Sequence, residues 1–362
     1  MTIKVQEKSH GLKNRLQRAS GIQVLLLSAA LCSIIVISTG MGYIHLSFLD
    51  VAKIIFAKIS GQTDLLKGMD EILSVVVLEV RLPRILTAAI VGAGLAVAGA
   101  VFQGILLNPL ADPYTLGVSA GAAFGACLAF FFNIVLFDNI VLGACSVPAF
   151  AFIGATGTLF FVVYLSSARG GFSSNNLILS GIIVAAILSA GISLLKYVAD
   201  EQVSIIIFWL MGSFVSKTWA DVIITLLFLC GGFLIIIFFA RDLNLISLGS
   251  RTASSLGVHT KRVTLVLLVT ASMVTAICVS VSGIIGFVGL LVPHMVRFLT
   301  GPDNRKLIPV SMLSGAILLL CADTVTRAIL PGEIPIGVLT ALIGGPFFCY
   351  IFRKRQTARS VG

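Results

Sequence analysis

Acidic side chains are scarce in this chain, 15 in 362 residues, and charged residues of both signs make up only 11%. A water-soluble domain carries about 25%, so most of this chain cannot face water. Histidine is as sparse. His10, His45, His259 and His294 stand far apart in sequence, which gives little support to a His-based triad or a metal centre. Cysteine occurs seven times, yet Cys32, Cys127, Cys145, Cys230, Cys278, Cys321 and Cys349 all fall inside apolar runs and none forms a CxxC pair. They read as small buried hydrophobes, not as disulfides or metal ligands. HExxH and Walker A sequences are also missing, and neither an enzyme site nor a nucleotide site is visible. The net charge of +10 does not point to nucleic acid, because the basic residues are scattered over short loops without a basic face or interleaved aromatics.

Long apolar runs are what the chain has in abundance: 58% of residues are hydrophobic and mean hydropathy is +1.08. In lipid only helices and closed barrels satisfy every backbone group, and continuous runs without ten-residue alternation exclude a barrel. The expected fold is an all-α polytopic membrane protein of ten transmembrane helices. They lie near 21–41, 85–107, 116–137, 141–165, 176–198, 220–240, 263–282, 284–298, 307–328 and 334–352. The eighth is short, and a re-entrant segment is the alternative there. Residues 1–20 form a basic N-terminus, 21–352 the ten-helix transmembrane domain and 353–362 a basic tail. The first apolar run is about 20 residues, too long for the core of a cleaved signal peptide, and reads as a retained anchor.

Charge placement sets the expected orientation. With both termini in the cytoplasm and ten crossings, 17 of 25 basic residues fall on the inner face and 11 of 15 acids outside. Two outer loops are long. In the first, 42–80, the stretch 47–60 reads as an interfacial helix with Phe48, Val51, Ile55 and Ile59 on its apolar face. The second, 199–219, carries Trp209 and Trp219 as interface aromatics. The longest inner loop spans 241–262, and its middle, 250–256, fits a short surface helix.

Polar residues at the ends of spans are the functional candidates. Arg81-Leu-Pro-Arg84 precedes a helix with Ala88, Gly92, Ala96 and Ala100 at four-residue spacing, and Asn108-Pro-Leu-Ala-Asp-Pro113 comes after it. Arg81 and Arg84 lie on the face where positive charge is disfavoured. They read either as snorkelling anchors or as an anion-docking patch for carboxylates of an external partner; Arg327 is placed to join them or to pair with Asp323 four residues earlier. Gly117, Gly121 and Gly125, and Gly283, Gly286 and Gly289, read as close-packing faces or as the flank of a solute route. Span centres nearly free of charge disfavour an ion-gradient carrier, which buries ionisable relays, and favour a pump that borrows ATP hydrolysis from a partner.

At these residues the sequence resembles the FecCD-type permeases, the membrane subunits of bacterial type II ABC importers for iron–siderophore complexes, haem and cobalamin. The likeness runs from about 25 to 355 and is carried by Arg81-Leu-Pro-Arg84, Asn108-Pro-Leu-Ala-Asp-Pro113, Leu116-Gly-Val-Ser-Ala-Gly121, Trp209-Leu-Met-Gly-Ser213, Ser247-Leu-Gly249, Leu256-Gly257, Gly286-Phe-Val-Gly-Leu290, Pro293-His294, Ala322-Asp323, Leu330-Pro331 and Pro335-Ile-Gly337. It implies a dimer of permeases in the bacterial cytoplasmic membrane, for which the length of the chain suggests a homodimer, and two ATP-binding subunits that use ATP and Mg. A periplasmic or lipid-anchored binding protein delivers a metal chelate, iron–siderophore foremost. The resemblance implies no cofactor bound directly and no catalysis in this chain. It assigns Arg81, Arg84 and Arg327 to docking of the binding protein. Asn108 and Leu110 match one cytoplasmic gate, and Ser174 and Asn175 match the other. In the 241–262 loop Ser247, Leu248, Gly249, Ala253, Leu256 and Gly257 match the ATPase-coupling helices. The gate loop reads Ser173-Ser-Asn-Asn176, bulkier than in some relatives. The alternative from a different class is an ion-gradient-driven carrier or channel working without an ATPase.

Overall fold

The computed structural model describes residues 2–42, 47–61, 71–132, 140–167, 174–199, 203–328 and 333–360. Among these residues every regular element is helical. The helices are α1 (Thr2–Gly40), α2 (Phe48–Ser60), α3 (Glu71–Val75), α4 (Leu82–Ile105), α5 (Val118–Phe132), α6 (Ile140–Ser167), α7 (Ser174–Val198), α8 (Val203–Leu210), α9 (Trp219–Phe238), α10 (Ala240–Ile246), α11 (Ser250–Ser255), α12 (Thr260–Ser282), α13 (Val288–Thr300), α14 (Asn304–Ala328) and α15 (Ile336–Ser360). Seven stretches are long and apolar enough to cross a membrane, and three shorter apolar helices, Val118–Phe132, Val288–Thr300 and Ile336–Cys349, accompany them.

The centre of the bundle is α4, with nearly every residue from Leu82 to Ile105 buried. Its small residues let neighbouring backbones approach to van der Waals distance, the source of cohesion between helices where lipid removes the hydrophobic drive. A Cβ on Gly92 would run into the Gly315 carbonyl of α14, and one on Gly315 into the Gly92 carbonyl. Farther along, Gly99 meets the Gly289 backbone of α13 in the same way. The Gly121 and Gly125 face of α5 also serves packing: it lies against Gly154, Thr158 and the Phe150 carbonyl of α6. The second glycine series is mixed. Gly289 packs on α4 and Gly283 takes φ +72° beside the Trp209 carbonyl, whereas Gly286 faces open space.

Several boundaries differ from those expected. The second span does not begin at 85: α3 continues through a π-helical turn, Val76–Arg81, into α4, giving one apolar rod Ile72–Ile105. A helical turn with i→i+5 bonding shifts the register of the helix beyond it, so Arg81 and Arg84 are aimed at different neighbours. The run 284–298 becomes helical only at Val288, because residues 283–287 are non-helical and Phe287 holds φ +68°. The stretch 199–219, expected as an outer loop, contains α8. On α2, Val51, Ile54 and Ala57 are buried, with Ile54 against Val77 and Leu82. The helix is therefore docked on the π turn through this face, to which Val51 and Ile55 of the face read in sequence contribute; the Phe48 and Ile59 side chains lie outside the described residues.

Candidate functional site

Of the three arginines expected at the outer face, Arg81 and Arg327 converge on the C-terminal end of α1. The last carbonyls of a helix have no intrahelical partner, and cations are the groups that satisfy them favourably. Arg81 Nη1 donates to the Thr39 carbonyl at 2.7 Å, and Arg327 Nη2 donates to that of Ser38 at 2.8 Å. Arg327 Nη1 also donates to the Met41 carbonyl. Gly42 fills the gap between the two guanidiniums, where a Cβ would lie 2.9 Å from Arg327 Nη1 and 3.0 Å from Arg81 Nη2.

Arg84 turns to the other side. Its Nε and Nη2 donate to Asp323 Oδ1 at 3.1 and 3.0 Å, and its Nη1 donates to the Glu333 carboxylate at 3.1 and 3.2 Å. Asp323 is 1% exposed and its second oxygen lies 3.9 Å from Arg327 Nε, whereas Glu333 is 50% exposed. The Asp323–Arg327 pairing weighed in sequence is present, but the shorter contact is with Arg84. The Trp219 indole donates to the Leu78 carbonyl at 3.0 Å within the π turn, anchoring the segment that aims both arginines. Glu333, Gly42 and the α1 carbonyls were missed in sequence. The only available signal was the set of orphan carbonyls that every helix end presents.

On the opposite face of the bundle, Asn108 to Thr115 is held by its own short polar side chains. Asn108 Oδ1 accepts from Leu110 N at 3.0 Å; Asp112 Oδ1 accepts from Tyr114 N at 3.1 Å and Thr115 N at 2.9 Å. Tyr114 donates its hydroxyl to the Ile285 carbonyl, joining this turn to the non-helical stretch before α13. Burial pushes the Asp112 carboxyl up to about 6, against the pull of its backbone donors. Asn108 and Leu110 are partly exposed. Ser174 and Asn175 occupy the first turn of α7, Asn175 exposed. Among the described residues no hydrogen bond joins the two pairs; α7 meets the 113–116 turn two helical turns farther in, where Gly181 abuts Thr115 and Leu116. Gly170, Gly171 and Ser173 of the gate loop, and Leu330-Pro331, lie outside the described residues.

The 241–262 loop forms α10 and α11, and the expected surface helix stands at Ser250–Ser255. Ala253 is buried beneath it, whereas Leu248 and Leu256 on either side are 65% and 58% exposed. Gly249 and Gly257 make the turns, at φ +108° and +87°, a region open to glycine and costly for other residues. Ser247 and Gly257 are exposed. A groove of about 540 Å³ adjoins, with His259, Lys261 and Arg262 among its walls. A second, apolar cavity of about 590 Å³ lies between α8, residues 284–286 and α15, bounded by Leu210, Met211, Ile284, Gly286, Gly337 and Val338.

A model of the FecCD transport family matches residues 29–354. The chain belongs to the FecCD transport family. The cobalamin import permease BtuC of Halobacterium salinarum is 43% identical over 80% of this chain and 76% of its own length. The molybdate import permease MolB of Haemophilus influenzae is 39% identical over 92% of this chain and 94% of its own. Among solved structures, a transporter assigned to the metal-chelate ABC type, in an inward-facing conformation, superposes with a TM-score of 0.77 at 37% identity. That match covers 91% of this chain and 98% of the other. Membership makes the chain a membrane permease subunit of the ABC-importer class, and the resemblance read in its motifs is correct.

Proposed function

We propose that this chain, as a homodimer in the bacterial cytoplasmic membrane, forms the pathway by which a bulky metal chelate, an iron–siderophore complex foremost, enters the cytoplasm by alternating access. The charge bias favours ten crossings with both termini inside, and seven long spans accompanied by three shorter apolar helices support that reading. The observation that carries the reading is the exposure of Leu248 and Leu256 around α11, at the opposite face from the arginine cluster, in a chain of this family. Exposed large apolar side chains flanking a short surface helix are what a docking partner covers; here the partner is an ATPase that supplies the energy.

At the outer face an acidic residue of a binding protein would reach Arg84 where the half-exposed Glu333 now stands, with Arg81 and Arg327 behind it. Asn108 and Leu110, and Ser174 and Asn175, form the two cytoplasmic gates. An apolar cavity free of charge suits a solute that must pass without sticking. Recognition belongs to the binding protein. Cobalamin, haem and the molybdate carried by a relative differ in size and charge, so the cargo is set by assay.

The test is uptake in proteoliposomes holding this chain with its ATPase, offered ferric siderophore, haem, cobalamin and molybdate with their binding protein, with and without ATP inside. ATP-dependent accumulation of one cargo is the expected result and names it. Movement without ATP that tracks an ion gradient would replace this reading by a secondary carrier.

A further inference from the structure

Asn244 lies on α10, three residues before exposed Ser247. Its side-chain amide is used on both sides. Nδ2 donates to Asp303 Oδ1 at 2.7 Å, and Oδ1 accepts from Asn304 N and Asn304 Nδ2, both at 2.8 Å. Asp303 in turn caps α14: Oδ1 accepts from Arg305 N at 3.0 Å, and its carbonyl accepts from Lys306 N and Leu307 N. Asn304, the first residue of α14, is 1% exposed. A single short side chain therefore hooks α10 to the start of α14.

Two further features give the hook mechanical sense. The first is that α10 is seated. Leu243 is fully buried against α4, where a Cβ on Gly104 would come within 2.9 Å of it, and Ala240 and Ile246 are buried beside it. The second is Pro309, which stands inside α14. It has no N–H to give the Arg305 carbonyl, so the first turn of α14 is joined to the rest by one bond fewer, and the hook helps set where that turn points. Beyond Pro309 the helix is locked to α4 at Gly315 and ends among Asp323 and Arg327. At 1.5 Å per residue its 25 residues span about 37 Å.

We infer that Asn244 is a positioning residue that makes α10 and α14 move together, so that displacement of the partner-facing loop reaches the arginine cluster at the far end of α14. This rests on the reading of the 241–262 loop as the ATPase contact and of the arginines as the binding-protein contact. A purely local role for Asn244 would change stability and leave communication between the two faces intact.

The experiment uses the whole transporter, this chain with its ATPase and binding protein in nanodiscs. The readout is the ratio of ATP hydrolysis with binding protein to that without. Asn244→Asp sets a carboxylate against Asp303, and the stimulation ratio is expected to fall about tenfold, the worth of one charge-assisted hydrogen bond. Adding Asp303→Asn restores a donor to that contact, because the new amide reaches the new carboxylate, and stimulation is expected to return. Should Asn244→Asp not assemble, Asn244→Ala removes the hook without a second carboxylate and is read the same way. Wild-type stimulation in an assembled Asn244→Ala transporter, or an assembled double variant that stays uncoupled, overturns the inference and leaves the proposed function standing. Absence of stimulation in the wild type itself overturns the inference together with the docking reading.

Discussion

Arg84 and Asp323, 239 residues apart in the chain, meet at 3.0 Å with the carboxylate 1% exposed. This contact ties the N-terminal end of α4 to the C-terminal end of α14, the two helices that also interlock at Gly92 and Gly315. A buried pair of this kind is a weak source of net stability but a costly thing to halve, since the surviving charge keeps its desolvation penalty.

Replacing Arg84 by Met alone is therefore expected to destabilise the chain by about 3–5 kcal/mol, read as a fall in the thermal midpoint in nanodiscs. The double variant Arg84→Met with Asp323→Leu should recover most of that loss. Additive losses in the double variant would show that the two side chains do not act as a pair.

At the helix crossing, Gly92→Ala or Gly315→Ala drives a methyl into a carbonyl of the facing helix. Overpacking of this kind costs about 1–3 kcal/mol. Gly231, whose Cβ would meet nothing within 4 Å, is the control: its change to Ala should leave the thermal midpoint unaltered or slightly raised.

The Asp112 carboxyl is raised from 3.8 to about 6 by burial. Between these values the folded chain holds a proton that the unfolded chain has released, so stability is greatest below about pH 4 and falls as pH rises through about 6. Asp112→Asn keeps an oxygen for Tyr114 N and Thr115 N and cannot ionise. It is expected to flatten the dependence of thermal midpoint on pH across this window and to raise the midpoint at pH 7. An unchanged slope would locate the titration elsewhere.

Serine at both Leu248 and Leu256 removes the exposed apolar contacts while α11 keeps its buried Ala253. Loss of anchors at a docking surface costs about 2 kcal/mol, roughly thirtyfold in Kd. Affinity of the ATPase for the detergent-solubilised permease measures it, and unimpaired binding would remove these leucines from the contact.

Much of the architecture is legible in the chain alone because lipid leaves the backbone so few choices. An apolar run without water to bond must close its own hydrogen bonds as a helix, and the apolar runs named from sequence all carry helices here. The short surface helix at 250–255 and the glycine-faced packing of α4 and α5 were also readable, from turn residues and from small side chains at four-residue spacing. The family was legible too, since its motifs sit at the ends of spans in fixed order.

Tertiary structure decided what those span ends touch. The π turn at 76–81 and the late start of α13 are adjustments by which one segment fits its neighbours, and no local periodicity encodes them. The arginines were visible as charges on the wrong face, but their acceptors were not: the α1 carbonyls exist only once α1 ends there, and Glu333 reaches Arg84 across 249 residues. The same holds for Asn244 and Asn304, ordinary polar residues of two loops until packing of α10 on α4 brings them within 2.8 Å. Sequence determined which segments are helices in a membrane; only their packing decided which polar groups at the helix ends find one another, because those contacts join residues that the chain itself keeps far apart.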